Sequence, residues 1–155
     1  MARGIYIGKG NVCKKVSKIY IGHSEPYTQK TNLTITNSNI SQYFTVTNGS
    51  YYFKGSGSTF TTTNAGVGGS TATTTLTAKI DTPISFTYSY SSEANYDKFT
   101  LIVNGTTVEN GVSGATTTNT YSGTILTGQT ISFQYKKDNS VDNNDDKCTF
   151  SNMTI

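Results

Sequence analysis

The sequence predicts an all-β protein in which a two-sheet antiparallel sandwich follows an extended N-terminal β-hairpin arm. Three observations predict this fold class. Threonine, serine and asparagine contribute 29, 17 and 14 of the 155 residues, a composition typical of strands and turns. Short stretches of alternating apolar and polar residues recur between Gly, Asn and Ser turns. No stretch of this chain carries a convincing helical pattern, so two packed sheets are the expected way to bury the apolar faces.

The N-terminal segment differs from the rest of the chain in its charge. Residues 1–22 carry five basic and no acidic side chains, whereas residues 23–155 carry seven basic and nine acidic ones. A basic segment can meet nucleic acid or an acidic protein surface. Five charges interrupted by Ile-Tyr-Ile are sparse for a nucleic-acid tail, so we expect a protein partner and no nucleic acid. We predict a basic docking arm over residues 1–30 and a β-sandwich domain over residues 31–155.

A tetrapeptide repeat lies within this arm. Ile-Tyr-Ile-Gly occurs at residues 5–8 and again at 19–22, and Lys9-Gly10-Asn11 after the first copy has turn chemistry, which predicts strand, turn, strand. An isolated two-stranded element is marginally stable in water, which favours an arm docked on a partner or on the body of the protein. The alternative is that both copies are strands of the main sheet. The candidate docking residues are Arg3, Ile5, Tyr6, Ile7, Lys14, Lys15, Lys18, Ile19, Tyr20 and Ile21.

The arm resembles a known kind of protein segment. Arg3-Gly4-Ile5-Tyr6-Ile7-Gly8, followed by Val12-x-Lys14-Lys15-Val16 and a second Ile-Tyr-Ile-Gly, is similar to the N-terminal repeats of tailed-bacteriophage virion proteins, which precede β-sandwich domains. The resemblance ends after Gly22, where His23-Ser24-Glu25-Pro26-Tyr27 replaces the expected continuation. It implies a virion protein assembled in the host cytoplasm, with the major capsid or tail protein of the same particle as its partner.

The body of the chain is predicted to contain roughly eight to ten short strands. Their expected inward residues are Leu33 and Ile35, Phe44 and Val46, Tyr51 and Phe53, Ile84, Phe86, Tyr88 and Tyr90, Phe99, Leu101 and Val103, and Ile131, Phe133 and Tyr135. Residues 55–75 have a looser pattern, which predicts long loops around a strand near Phe60. Further strands are expected over residues 73–80, 121–126 and 148–155.

Two blocks of the body carry a second resemblance. Ile84-x-Phe86-x-Tyr88 precedes Ser92-Glu93-x-x-x-Asp97, and a later strand ends in Tyr135-x-Lys137-Asp138. Together they are similar to the jelly-roll domains of phage adhesins and bacterial surface proteins, which implies a jelly-roll-like sandwich with turn-fixing polar residues. The chain departs from that pattern over residues 142–146, which lack the Gly that usually precedes the last Asp.

An acidic run near the C-terminus has the chemistry of a calcium site. Asp138, Asp142, Asp145 and Asp146 alternate with asparagines, and Ca²⁺ prefers several carboxylate and amide oxygens from one flexible loop. The run is not an EF-hand, because it lacks the required Gly and the twelfth position is Thr149. We expect a solvated turn and no metal or cofactor, and we keep Asp138, Asp142 and Asp145 as ligands in the alternative.

The composition argues against an enzyme, because one His, two Cys and nine carboxylates offer few acid-base or nucleophilic sites. Glu93, Asp97 and Asp138 could pair carboxylates for glycoside hydrolysis, but the chain lacks the Trp that usually accompanies such a site. Without a visible signal peptide, Cys13 and Cys148 are expected to be free thiols.

The predicted function is therefore structural. The arm docks on a capsid or tail lattice and the sandwich projects outward as an accessory or decoration module. The alternative is a receptor- or glycan-binding adhesin module of a tail fibre or head fibre. Self-association and a host surface glycan stay open as further partners, and no membrane contact is expected, since no apolar stretch approaches the length of a membrane span.

Overall fold

The computed structural model describes residues 32–115, 118–140 and 146–155, and the backbone of residues 6–9 and 12–15. The chain divides into two compact units, residues 1–31 and 32–155. In the first unit, β1 (Tyr6–Lys9) pairs with β2 (Val12–Lys15) as a two-stranded antiparallel sheet. Strands are thus present on both sides of the predicted turn, and residues 10 and 11 between them lie outside the described residues. The second Ile-Tyr-Ile-Gly copy lies outside the described residues.

The second unit is built almost entirely of strands. Its elements are α1 (Ile40–Tyr43), β3 (Phe44–Asn48), β4 (Phe53–Ser56), β5 (Thr59–Thr62), β6 (Thr71–Ala78), β7 (Thr82–Ser91), β8 (Lys98–Val103), β9 (Thr106–Val112), β10 (Asn119–Ile125), β11 (Thr130–Lys136) and β12 (Lys147–Thr154). One five-stranded sheet has the order β10-β7-β12-β5-β4, and the other has the order β3-β6-β11-β8-β9. Neighbouring strands in both sheets are antiparallel. The predicted two-sheet sandwich is confirmed.

An aromatic stack joins the two sheets at the centre of the core. The rings of Phe133 on β11 and Phe150 on β12 are nearly parallel, with centroids 4.1 Å apart and 12° between their planes. Phe60 on β5 stacks on the other side of Phe150 at 4.5 Å, and Phe86 on β7 meets Phe133 edge-on at 5.3 Å. All four rings are buried. Phe86 and Phe133, which the period-two pattern predicted to face inward, are therefore at the centre of the core.

Two residues predicted to face inward are exposed instead. Leu33 is 38% exposed and Val46 is 37% exposed. Leu33 precedes an isolated bridge between Thr34 and Thr154 rather than lying in a strand. Val46 pairs with the buried Leu76, so it is on the inner side of its sheet, but β3 is the edge strand of that sheet and this position is incompletely covered.

The structure differs from the sequence prediction at the β4–β5 hairpin and at β9, where the alternation of apolar and polar residues is irregular. Gly57, with a φ of +58°, forms the turn between β4 and β5, so this part of the predicted loop is a hairpin. The strand β9 was not predicted, since its pairing with β8 shifts register twice and its exposed positions do not alternate. No helix in the described part of the chain is long and apolar enough to cross a membrane.

Candidate functional site

The predicted docking arm is described only in part. The register of β1 and β2 places Tyr6 opposite Lys15 and Ile7 opposite Lys14. The other candidate docking residues, Arg3, Ile5, Lys18, Ile19, Tyr20 and Ile21, lie outside the described residues. The pairing brings two residues of the first Ile-Tyr-Ile-Gly copy next to two of the predicted docking lysines. Aromatic, β-branched and basic positions of the arm thus share one short ribbon.

The carboxylates singled out in the body meet where several strands end. One group of polar side chains, which we call the end cluster, comes from the segment after β7, the segment after β11 and the residue before β12. It consists of Glu93, Asp97, Lys137, Asp138, Ser140 and Asp146. Four of these residues belong to the two blocks that resemble jelly-roll motifs, so the folded chain brings the two blocks together.

A buried ion pair is the centre of the end cluster. The Lys137 ammonium donates to Asp146 Oδ2, and their side chains are only 1% and 5% exposed. Asp146 Oδ1 accepts a hydrogen bond from the Tyr135 hydroxyl at 2.8 Å, and Oδ2 accepts another from the Gly66 N–H at 3.2 Å. Both carboxylate oxygens are therefore bonded inside the protein, which offsets part of the cost of removing the charges from water.

Two further carboxylates of the end cluster hold backbone turns. Asp97 is 2% exposed, and its Oδ1 accepts the Asp138 N–H at 3.0 Å. Asp138 in turn accepts the N–H of Ser140 at 2.8 Å and the Ser140 hydroxyl at 2.7 Å. These bonds are the main reason that the pKa of Asp138 is lowered, because they favour the ionised carboxylate, and the nearby Lys137 lowers it further. The arrangement ties the segment after β7 to the segment after β11.

A buried asparagine completes this end of the sandwich. The Asn64 amide nitrogen donates to Ser70 Oγ at 3.1 Å and to the Tyr135 carbonyl at 3.4 Å. Its carbonyl oxygen, Oδ1, is buried without a hydrogen-bond partner. Ser70 also accepts the Lys137 N–H through its own carbonyl at 2.8 Å. The loop between β5 and β6 is thereby fastened to the strand that carries Lys137.

The structure corrects one expectation about the acidic run. Asp146 was expected in a solvated turn, but it is 3% exposed, because its carboxylate binds the hydroxyl of Tyr135 on β11 and the ammonium of Lys137, which directly follows that strand. Among the described residues, no three His, Cys, Asp or Glu are grouped so that they could hold a metal ion. Asp142 and Asp145, two of the alternative calcium ligands, lie outside the described residues.

The thiol of Cys148 lies next to this cluster. It is free and fully buried, and its N–H donates to the Thr62 hydroxyl at 3.1 Å. Burial raises the pKa of the Cys148 thiol well above its ordinary value, and the charge of Asp97 raises it further. A thiol in this state is protonated near neutral pH and is a weak nucleophile.

The end cluster contains residues that the sequence argument did not single out. The sequence motifs include Lys137 without indicating a role for it, and they include neither Asn64 nor Ser70. The spacing Tyr135-x-Lys137 was an available signal, because alternate residues of a strand share one face. A lysine two residues after a buried tyrosine is therefore expected to be buried as well, and its charge then needs an acidic partner. No comparable signal pointed to Asn64, which lies in a loop of weak pattern.

Comparisons with known proteins agree with the fold and extend no further. No protein-family model matches the sequence, and no curated protein matches it. Among solved structures, the secreted serine protease VesC from Vibrio cholerae is similar over 76% of this chain and 26% of its own, with a TM-score of 0.59 and 15% identity. A ruminal GH26 endo-β-1,4-mannanase is similar over 54% of this chain and 18% of its own, with a TM-score of 0.29 and 18% identity. This chain thus spans about a quarter of the protease, and that likeness shows a shared fold alone.

Proposed function

We propose that this chain is a structural protein of a tailed-bacteriophage virion. In this proposal the basic arm attaches to the capsid or tail lattice, and the sandwich projects outward as an accessory or decoration module without catalytic activity. The observation that carries the proposal is the basic two-stranded ribbon of β1 and β2, which belongs to a unit separate from the sandwich. A separate, short and charged ribbon is suited to attachment, because two strands alone have little stability until a partner covers them.

The state of the carboxylates in the sandwich also supports a structural role. Asp146 is paired with Lys137, and Asp97 accepts a backbone N–H, so each buried carboxylate is engaged in holding loops together. A glycosidase needs two carboxyl groups held across a cleft and open to the sugar. The contacts of Asp97 and Asp146 are those of turn-fixing groups.

The proposal is tested by removing residues 1–22. The truncated protein is expected to keep the circular-dichroism spectrum and thermal transition of the sandwich, and to be absent from purified particles in which the full chain is present. Quantitative mass spectrometry of the particles gives the copy number of each form. Incorporation of the truncated chain at full occupancy would contradict the proposal, and so would absence of the full chain from every particle fraction.

A charge-neutralisation experiment separates attachment by charge from attachment by strand pairing alone. Replacing Lys14, Lys15 and Lys18 with Gln should weaken attachment most strongly at low salt, because exposed charge contacts are screened as the Debye length shortens. The matched control replaces three exposed lysines of the sandwich, Lys54, Lys79 and Lys136, with Gln. The control should attach like the unmodified protein. Equal weakening in both variants would contradict a specific role for the arm.

A further inference from the structure

A groove opens on one side of the sandwich, between the edges of the two sheets. The strand β9 ends one sheet and β10 ends the other, so neither has a strand partner on its outer side. The space between them has a volume of about 500 Å³, within the range of small-molecule sites. It is lined by Val103, Asn104, Thr106, Val108, Tyr121, Thr124, Leu126 and Gln129.

An aromatic ring lies along one wall of this groove. Tyr121 on β10 is half-buried and stacks on Phe86, with ring centroids 5.2 Å apart and 27° between the planes. A Cβ atom on Gly123, two residues further along the strand, would come within 2.8 Å of the Tyr121 hydroxyl oxygen. The absence of a side chain at Gly123 therefore gives the ring room to lie lengthwise on the strand. Tyr121 is one of the residues that line the groove.

The polar groups of the groove are amides and hydroxyls. The side-chain oxygen of Gln129 accepts the Leu126 N–H at 3.0 Å, which orients the amide and leaves its NH₂ group as a donor. Asn104 lies in the turn between β8 and β9, where its φ of +48° suits an asparagine. Thr106 and Thr124 add hydroxyls. None of the eight lining residues is charged, and the nearby Glu109 accepts a hydrogen bond from the Tyr88 hydroxyl at 2.6 Å.

We infer that this groove is a binding site for a neutral oligosaccharide, with Tyr121 as the stacking platform and the amides of Gln129 and Asn104 as partners of the sugar hydroxyls. A sugar ring presents an apolar C–H face and a rim of hydroxyls, and the groove offers an aromatic surface beside amides and hydroxyls. An anionic ligand would find no countercharge in the lining. The site does not depend on the proposed attachment function, because its residues all belong to the sandwich.

The inference is tested by titrating the full-length protein with neutral hexasaccharides. Cellohexaose, mannohexaose, maltohexaose and laminarihexaose serve as probes, and the acidic sialyllactose is the comparison ligand, with binding followed by calorimetry and by ligand-observed NMR. At least one neutral probe is expected to bind with a Kd of about 1 mM or tighter. No binding of any neutral probe at about 10 mM would overturn the inference, and so would binding of sialyllactose alone.

Variants place the binding in the groove. Tyr121→Ala is expected to weaken binding by about tenfold or more, whereas Tyr121→Phe keeps the ring and should stay close to the unmodified protein. Gln129→Glu retains the acceptor for the Leu126 N–H but replaces the donor with a charge, so it should weaken binding several-fold while preserving the fold. The matched control is Gln134→Glu on the exposed face of β11. Affinity unchanged by both Tyr121→Ala and Gln129→Glu, or lowered equally by Gln134→Glu, would overturn the assignment.

Discussion

Replacing Asp146 with Asn tests the ion pair at the centre of the end cluster. The substitution removes the anion but keeps the shape of the side chain and an acceptor for the Tyr135 hydroxyl. It leaves the Lys137 ammonium without its countercharge at a position where the side chain is 1% exposed. Breaking a buried pair from one side costs about 3–5 kcal/mol, because one charge then stays out of water unpaired. For a sandwich of this size that corresponds to a drop in melting temperature of roughly 10–20 °C.

The assay is urea unfolding of the full chain, followed by tyrosine fluorescence and circular dichroism. Asp138→Asn is the matched control, and it should shift the midpoint much less because that carboxylate is more exposed. The double variant Lys137→Met with Asp146→Asn removes both charges and should recover most of the stability lost in Asp146→Asn. A loss below about 1 kcal/mol for Asp146→Asn, or no recovery in the double variant, would refute the reasoning.

Two other predictions concern groups near the same cluster. The bonds from Ser140 lower the pKa of folded Asp138, so they stabilise the fold above the unfolded-state pKa of about 4 and lose their effect as the pH falls through the lower folded value. Ser140→Ala should therefore lower the urea midpoint more at pH 6 than near pH 2, and an equal shift at both pH values would contradict this. In a Cys13→Ser variant, the buried thiol of Cys148 should react with a disulfide reagent only as fast as the protein opens, and fast labelling of the native state would contradict its burial.

The fold was predictable where period-two patterns are regular. Phe86 and Phe133 lie on strands whose buried positions alternate regularly around them, and both rings are at the centre of the core. The pattern failed at Leu33 because this residue lies outside any strand. It failed at Val46 because alternation identifies a face of a strand but not whether another sheet covers it. It also missed β9, whose register shifts break the alternation that the prediction depends on.

The candidate sites were also predictable only in part from the sequence. The motifs containing Glu93, Asp97 and Asp138 identified which polar residues matter, and the structure brings them together at one end of the sandwich. The burial of Asp146 could not be predicted from the acidic run itself, because it depends on Lys137 and on a loop distant in sequence. The Tyr121 platform could not be predicted from the sequence either. It depends on the packing of the ring on Phe86, on the absence of a side chain at Gly123 and on the separation of two sheet edges.

The distribution of charge links the roles proposed for the two units. In the sandwich, Lys137 is buried in an ion pair and Lys79 donates to the Ser41 carbonyl, so part of its small basic content is already engaged. The five basic residues of positions 1–22 have no acidic neighbour in sequence. Salt-sensitive binding to a particle should therefore depend on the arm, whereas sugar binding in an uncharged groove should vary little with salt. The ionic-strength dependence of each interaction separates the two surfaces without any substitution.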